Sequence, residues 1–322
     1  MSKPVVVVTR RWPNAVEERL MDVFDARLND DDHPFSPQEL VDAIKTADAL
    51  MPTVTDKISA DIIGTAGRKA RIIGNFGVGF NNIDIDAAKK HGVVVTNTPE
   101  VLTDCTADIA MILLLSVARR IGEGERHLRG GQWTGWRPTH MMGQKVSGKT
   151  LGLIGYGRIA QAMARRALGF GMTLIYYDPY VDAAKLDKSV PATAVSSIDE
   201  VLAQADFVSL HCPSTPETRH LINSESFAKM KPTAFLINTA RGDIVDESAL
   251  IAALREDVIQ GAGLDVYEKE PKVPADLLKM NNVVLLPHLG SASTQTREAM
   301  GMRVLTNVEA FFAGKTPPDR VV

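Results

Sequence analysis

The chain has 322 residues, of which 45% are apolar and 23% are charged. At roughly 150 residues per domain, this length predicts two domains, each large enough to bury a core. The composition is typical of globular proteins and excludes disordered and low-complexity classes. Lysine plus arginine number 36 against 39 aspartates and glutamates, so no excess of positive charge indicates a nucleic-acid partner.

Cysteine count and hydropathy narrow the class further. Cys105 and Cys212 are too few for a disulfide framework, and we expect two free thiols in a reducing cytoplasm. The N-terminal apolar run, Val5–Val8, is too short for a signal peptide. The most apolar stretch, Ile109–Ala118, is far shorter than the about 20 residues that a membrane span needs. Secreted, fibrous and integral membrane classes are therefore not expected.

Short apolar, often β-branched runs alternate along the chain with longer amphipathic segments. Runs of this length are typical of strands that are buried on both faces of a parallel sheet. The predicted strands are 5–9, 49–51, 71–74, 93–97, 150–154, 173–178, 207–210, 234–238, 261–264 and 283–286. Between strands, apolar residues recur at helical spacing, as at Ile159, Met163 and Phe170. The alternation predicts an α/β fold with doubly wound parallel sheets.

The longest predicted helix runs from about Thr103 to Ile121, with Thr103 as its N-cap. Its apolar face is too wide for a surface helix, so we expect it to be central. A stretch rich in glycine and tryptophan follows, from Gly130 to Gly148. This stretch predicts a loop, and the linear pattern places it between two α/β units.

A glycine-rich turn opens the second series of strands. Gly155, Gly157 and Ala160 fit the pattern G-x-G-x-x-G/A, between a predicted strand and a predicted helix. Such a turn lets a pyrophosphate approach the backbone at the N-terminus of the helix. Asp178 ends the next strand, 21 residues after Gly157, where a carboxylate bonds the ribose hydroxyls and repels a 2′-phosphate. The sequence therefore predicts a dinucleotide site that prefers NAD to NADP.

A second glycine cluster, Gly74–Gly79, also follows a predicted strand, but the residues after it do not begin a convincing helix. Two interpretations remain open on spacing alone. The cluster is either a backbone nest that binds a small anion, such as a substrate carboxylate, or a structural turn.

Four polar residues follow three successive predicted strands. Arg241 follows 234–238, Asp265 and Glu270 follow 261–264, and His288 follows 283–286. Open α/β sheets bind ligands at these strand ends. An arginine can hold the carboxylate of an α-keto acid, and a histidine paired with a carboxylate can protonate its carbonyl as hydride arrives. The set favours carbonyl reduction, whereas no metal-ligand spacing stands out.

Motifs over nearly the whole length resemble the D-isomer-specific 2-hydroxyacid dehydrogenases. They are Asn82-Ile83-Asp84, Asn97-Thr98-Pro99, Gly155-Tyr156-Gly157-Arg158-Ile159, His211-Cys212-Pro213, Asn238-Thr239-Ala240-Arg241-Gly242, Gly263-Leu264-Asp265-Val266, Glu268-Lys269-Glu270-Pro271 and Leu286-Pro287-His288-Leu289-Gly290. The branch that the chain resembles most is glyoxylate/hydroxypyruvate reductase. That likeness rests on Leu102-Thr103-Asp104, Trp133-Thr134-Gly135-Trp136-Arg137-Pro138 and Gly148-Lys149-Thr150.

The resemblance implies a discontinuous architecture. A flavodoxin-like substrate domain would comprise residues 1–100 and 290–322, and a Rossmann-type NAD-binding domain, residues 101–289, would be inserted in it. It also implies a homodimer built through the cofactor domain, and reduction of glyoxylate or hydroxypyruvate; the expectation that NADH is the reductant rests on Asp178.

Residue roles follow from the same resemblance. Arg241 would bind substrate, His288 would be the acid/base and Glu270 its partner, which makes these three the expected catalytic set. Val78 and Gly79 would bind the substrate carboxylate through their N–H groups, and Trp136 would reach into the partner's substrate pocket or simply pack at the interface. Asp265 would bond the nicotinamide amide. The expected cofactor contacts are Thr106, Gly155, Gly157, Arg158, Ile159, Asp178, His211, Pro213, Thr218, Thr239, Asp265 and Gly290; no metal is expected.

Three departures from the family pattern are visible. Ala160 replaces the usual third glycine, and Asn81 stands where an aspartate often precedes Asn-Ile-Asp. Asp178 replaces the basic or neutral residues of NADPH-preferring glyoxylate reductases. The resemblance to that branch therefore favours NADPH, whereas Asp178 favours NADH. Two alternatives stay open: another dehydrogenase of this fold, and a NAD-sensing regulatory or corepressor protein on the same scaffold.

Overall fold

The computed structural model describes residues 3–322. The chain forms two units, and one is discontinuous in sequence. The first unit comprises the residues up to Leu102 together with Ala292–Val322, and the second comprises Thr103–Ser291.

Both units alternate strands with helices. The strands are β1 Val5–Val8, β2 Asp25–Arg27, β3 Ala49–Met51, β4 Ile72–Gly74, β5 Val94–Thr96, β6 Thr150–Ile154, β7 Thr173–Tyr177, β8 Ala192–Ala194, β9 Phe207–Leu210, β10 Phe235–Asn238, β11 Gly261–Leu264 and β12 Val283–Leu285. The α-helices are α1 Asn14–Val23, α2 Pro37–Thr46, α3 Ala60–Ile63, α4 Ile85–Lys90, α5 Thr103–Ala118, α6 Ile121–Arg129, α7 Arg158–Leu168, α8 Ile198–Gln204, α9 Ser224–Lys229, α10 Glu247–Arg255 and α11 Thr294–Phe312.

Each unit is built on one parallel sheet. The first has five strands in the order β2-β1-β3-β4-β5, which is the flavodoxin-like order. The second has seven strands in the order β12-β11-β10-β9-β6-β7-β8, a Rossmann-type order extended by one strand. Every paired strand is parallel to its neighbour. The predicted fold class, two doubly wound α/β domains, is confirmed.

The second sheet has a hydrophobic layer on each face because its strands alternate their side chains. Phe235 and Ile237 join one buried cluster, whereas Leu236 between them joins the other. Helix α5 contributes fully buried residues such as Leu113 to the first cluster, in agreement with its predicted central position. Within residues 3–322, no helix has the length and apolarity that crossing a membrane requires.

Some local predictions were wrong. The edge strands β2 and β8 were missed, because both are largely exposed and carry no apolar run. The long helix predicted to reach Ile121 ends as α5 at Ala118, and Arg120 takes a left-handed conformation (φ 55°) before α6 begins. The glycine- and tryptophan-rich stretch after α6 lies inside the second unit rather than between the two.

Candidate active site

The dinucleotide turn lies between β6 and α7, where the sheet order of the second unit reverses. Gly155 has φ 84°, and a Cβ there would lie 2.7 Å from the backbone nitrogen of Cys212 on the adjoining strand end. Only glycine fits such a conformation and approach. A Cβ on Gly157 would meet nothing within 4 Å, so space for a ligand remains on that side. The turn therefore leaves room for a phosphate beside the N-terminus of α7.

Asp178 follows β7 and is bonded to the same turn. Its Oδ2 accepts a hydrogen bond from the Tyr156 N–H at 2.7 Å, and Oδ1 accepts from the N–H groups of Tyr180 and Val181. These bonds fix the carboxylate at the end of β7, the position at which an adenosine ribose is bound in this fold. A fixed negative charge there disfavours a 2′-phosphate.

The side chains of the other expected cofactor contacts differ in their surroundings. The ring of His211 is buried, with Nε2 2.9 Å from Ser209 Oγ and 3.3 Å from Met163 Sδ, and burial lowers its pKa to about 4. Its backbone, instead, abuts Gly155. Thr218 closes the next loop by donating to the Pro213 carbonyl at 2.6 Å.

Thr239 stands out because its hydroxyl lacks a partner. Its Oγ1 is buried directly after β10 and makes no hydrogen bond within residues 3–322. Buried hydroxyls ordinarily find one. A dinucleotide could supply the missing partner of Thr239 Oγ1 and occupy the open space beside Gly157. The residues present therefore fit a nicotinamide dinucleotide.

Asp265 holds the loop that follows β12. Its Oδ1 accepts from the Leu289 N–H at 2.6 Å and its Oδ2 from the Gly290 N–H at 2.7 Å, while its carbonyl accepts from the His288 N–H. Burial raises the pKa of Asp265, and the two amide bonds only partly offset that effect. Thr106 also lies beside Gly290, where an added Cβ would be 3.4 Å from its methyl group and 3.2 Å from Asp265 Oδ2. The three expected cofactor contacts are therefore neighbours.

His288 and Glu270 form an ion pair, with Nδ1 and Oε2 2.8 Å apart. Burial acts to raise the pKa of Glu270, but the hydrogen bond and charge of His288, the Tyr267 N–H and the charge of Arg241 outweigh it, and the net shift is downward. His288 has φ 55°, in the left-handed region that histidine enters more often than most residues outside glycine. Its N–H bond to the Asp265 carbonyl and its ring bond to Glu270 hold it there.

Arg241 follows β10 in the same group of strand ends. Its Nη1 donates to the Ala240 carbonyl at 2.7 Å, and its own carbonyl accepts from the Asn238 side chain. Burial lowers the pKa of Arg241, while Glu270 and Asp243 act in the opposite direction. A guanidinium keeps its charge in such surroundings, so this partly buried cation is suited to a small anion.

In the first unit, the glycine cluster follows β4 as an irregular loop. The N–H groups of Val78 and Gly79 have no backbone or side-chain acceptor within residues 3–322. Their carbonyls are held from behind, because Asn97 donates to the Val78 carbonyl at 2.8 Å and Asn75 to the Gly79 carbonyl at 2.9 Å. This geometry favours an anion-binding nest over a structural turn.

Trp136 lies in the long loop after α6, with 81% of its surface exposed. A pocket of about 270 Å³ with mainly apolar walls is lined by residues close to Trp136 in sequence, namely Gly124, His127, Leu128, Trp133, His140 and Met141. This stretch of the second unit thus carries both an exposed aromatic residue and an apolar pocket.

Several supporting residues were missed by the sequence reasoning. Asn75 and Asn97 hold the nest, and Tyr267 contacts the loops of the Arg241, Glu270 and His288 set. Each follows a strand end, and Asn97 also stands in the motif Asn97-Thr98-Pro99, but neither signal indicated these contacts. No group of three or more His, Cys, Asp and Glu side chains within residues 3–322 could hold a metal ion.

Comparison with known proteins decides the family. The profile described as D-isomer specific 2-hydroxyacid dehydrogenase, NAD binding domain, matches residues 111–290. The chain belongs to the D-isomer specific 2-hydroxyacid dehydrogenase family. It is 46% identical to a glyoxylate reductase of Korarchaeum cryptofilum, over 99% of this chain and 96% of the relative. It is also 38% identical to a glycerate dehydrogenase of Hyphomicrobium methylovorum, over 98% of both chains.

Solved structures agree with this assignment. The TT0316 protein of Thermus thermophilus has a TM-score of 0.90 and 42% identity, with 99% of this chain and 100% of that chain covered. An NADPH-dependent glyoxylate/hydroxypyruvate reductase of Sinorhizobium meliloti, in complex with NADP and malonate, has a TM-score of 0.86 and 32% identity, with 100% and 97% covered. This D-2-hydroxyacid dehydrogenase is thus an oxidoreductase that reduces 2-keto acids and uses a nicotinamide cofactor.

Proposed function

We propose that this enzyme reduces small 2-keto acids, glyoxylate and hydroxypyruvate, to glycolate and D-glycerate with NADH. The observation that carries the proposal is the Glu270–His288 ion pair, at 2.8 Å, beside Arg241 at neighbouring strand ends. The names of two relatives, a glyoxylate reductase and a glycerate dehydrogenase, support this choice of substrates.

NADH, when bound, supplies the hydride that adds to the carbonyl carbon of the keto acid. His288 gives its Nε2 proton to the carbonyl oxygen, because its other ring nitrogen is engaged by Glu270. Glu270 holds the ring in place through the bond to Nδ1. The net reaction consumes the keto acid, NADH and one proton, and yields the hydroxy acid and NAD⁺.

Substrate binding rests on charge and on free backbone donors. In the second unit, Arg241 binds the keto acid by a forked hydrogen bond and polarises its carbonyl. In the first unit, the N–H groups of Val78 and Gly79 provide a site for a carboxylate. The two units accordingly act as substrate-binding and NAD-binding domains, with 1–100 and 290–322 in the former role and 101–289 in the latter.

Cofactor choice follows from Asp178. The 2′-phosphate of NADPH carries about two negative charges, which the carboxylate of Asp178 would repel. NADH is therefore the expected cofactor. The Sinorhizobium meliloti relative is described as NADPH-dependent, which makes the preference a point to be measured rather than inherited.

The exposed apolar surface of the second unit supports a homodimer. Large exposed side chains lie close together in sequence, namely Ile121, Leu128, Trp133, Trp136 and Met142. Large exposed apolar patches mark interaction sites, and a self-complementary patch gives a two-fold dimer. Leu128→Glu should convert a dimer to a monomer in light scattering, and a wild-type monomer would contradict the proposal.

Both cysteines are free thiols, as in proteins of the reducing cytoplasm.

The test of the proposed function is a direct assay. The absorbance of NADH is followed with glyoxylate, hydroxypyruvate and pyruvate as separate substrates. We expect turnover with the first two. NADH binding without turnover on any keto acid would instead favour a NAD-sensing regulatory protein.

A further inference from the structure

Tyr267 lies on the loop of Glu270 and contacts the loops of both Arg241 and His288. It lies on the loop after β11 and is only 7% exposed. Its N–H donates to Glu270 Oε1 at 3.1 Å. Its phenol donates to the Leu286 carbonyl at 3.0 Å, two residues before His288.

The contact with the arginine loop is made by backbone. A Cβ on Gly242, the residue after Arg241, would lie 1.9 Å from the carbonyl carbon of Tyr267. The two backbones are therefore in direct contact, and only glycine permits it. A shift of Tyr267 would displace the arginine loop as well.

The loop of His288 is joined to this region along its length. The Leu286 N–H donates to the Leu264 carbonyl at 2.8 Å and the His288 N–H to the Asp265 carbonyl at 2.9 Å. The Tyr267 hydroxyl adds a side-chain hydrogen bond between the two loops by donating to the Leu286 carbonyl. Reacting groups must be held within a fraction of an ångström, since a misplacement of about 1 Å can lower the rate about a hundredfold.

We propose that Tyr267 is a positioning residue, whose hydroxyl sets the distance between Glu270 and His288 during the reaction. The inference rests on the proposed function, because it concerns the same histidine and carboxylate. The Tyr267 hydroxyl acts on the His288 loop through its bond to the Leu286 carbonyl, while the Tyr267 N–H holds Glu270 Oε1.

Packing alone is the competing explanation. Tyr267 belongs to the hydrophobic cluster on one face of the second sheet, together with residues such as Leu264 and Leu277. If packing were its whole role, phenylalanine would serve equally well, because the ring would be kept. The hydroxyl is what separates the two explanations.

The experiment compares Tyr267→Phe with a matched control, Tyr176→Phe. Tyr176 is similarly buried, at 4% exposure, but it lies on β7 in the cluster of the opposite face. We expect Tyr267→Phe to lower kcat for glyoxylate about tenfold, since the Leu286 carbonyl loses its donor and the His288 loop loses that support. The KM and Kd for NADH should stay unchanged, and thermal unfolding should shift by only about 2–4 °C. The control should keep the wild-type kcat.

A double variant adds a readout that a packing role would not move. If Tyr267 acts through the Glu270–His288 pair, Tyr267→Phe should lower kcat little further once Glu270→Gln is present, because coupled residues are not additive. Additive effects, or a Tyr267→Phe enzyme with the kcat of the control, would overturn the inference alone. An inactive wild-type enzyme would overturn the proposed function, and this inference with it.

Discussion

Glu270 Oε2 accepts a hydrogen bond from His288 Nδ1 over 2.8 Å, although the two residues lie on loops that follow different strands. The strands, β11 and β12, are neighbours in a parallel sheet, so their carboxyl ends open on the same edge. The bond engages one ring nitrogen and leaves the other for proton transfer. It is the central element of the proposed mechanism.

Removing the charge of Glu270 should impair turnover and leave cofactor binding intact. Glu270→Gln keeps the shape of the side chain but weakens the bond that orients the His288 ring, so we expect kcat for glyoxylate to fall roughly 10²-fold. Glu268→Gln is the control, since Glu268 lies two residues before Glu270 in the chain but pairs with His220 instead of His288. Steady-state kinetics at saturating NADH measures both. Equal kcat values in the two variants would contradict the role of Glu270.

His211 should make stability depend on pH. Its folded-state pKa is about 4, against an ordinary value of 6.5, because the ring is buried. The unfolded chain therefore takes up a proton at higher pH than the folded chain, and the stabilisation present above pH 6.5 is lost progressively toward pH 4. The loss amounts to about 3 kcal/mol.

Urea unfolding between pH 4 and pH 8 measures this dependence. In His211→Gln the group cannot titrate, so the decline of the free energy of unfolding should be shallower than in the wild type by about that amount. Parallel curves for the two proteins would show that His211 is not held neutral in the folded state.

Gly157→Ala should fold normally yet bind NADH poorly. An added methyl group meets nothing within 4 Å in the protein, but it occupies the space proposed for the pyrophosphate. We expect the Kd for NADH to rise roughly tenfold or more, equivalent to at least about 1.4 kcal/mol, with the melting temperature unchanged. Gly155→Ala is the contrasting variant, because its methyl group would collide with backbone and lower stability. An unchanged Kd in Gly157→Ala would place the phosphates elsewhere.

Asp178 should determine the cofactor preference. Asp178→Asn keeps the size of the side chain but removes its charge, so the ratio of kcat/KM for NADH to that for NADPH should fall about tenfold or more. Asp182→Asn is the control: it also removes one negative charge, four residues after Asp178, and should leave the ratio unaltered. A wild-type enzyme that turns over NADPH with the higher kcat/KM would contradict the role of Asp178.

Much of this architecture could be predicted, and the exceptions have physical reasons. Strands such as β6, β9 and β11 were predicted to the residue, because burial on both faces leaves a continuous apolar run. The edge strands β2 and β8 carry no such run. Strand ends identified Arg241, Asp265, Glu270 and His288, and the family resemblance named Glu270 as the partner of His288.

The contacts that hold these groups were beyond the sequence. Asn97 supports the Val78 carbonyl across 19 residues, and Tyr267 reaches Leu286 across a similar separation. Such bonds depend on the register of neighbouring strands and on loop conformation. His211 shows the same limit, since its motif indicated the cofactor whereas its ring points to Ser209 and Met163.

The most direct test of the central claim is the turnover of His288→Asn, assayed by NADH oxidation with glyoxylate and accompanied by NADH titration. Asparagine tolerates the positive φ of position 288, so loss of activity would report the missing imidazole rather than strain. We predict an active wild type and a variant whose kcat is lower by about 10²–10⁴-fold with an unchanged Kd for NADH. A variant that retains wild-type turnover would contradict the account.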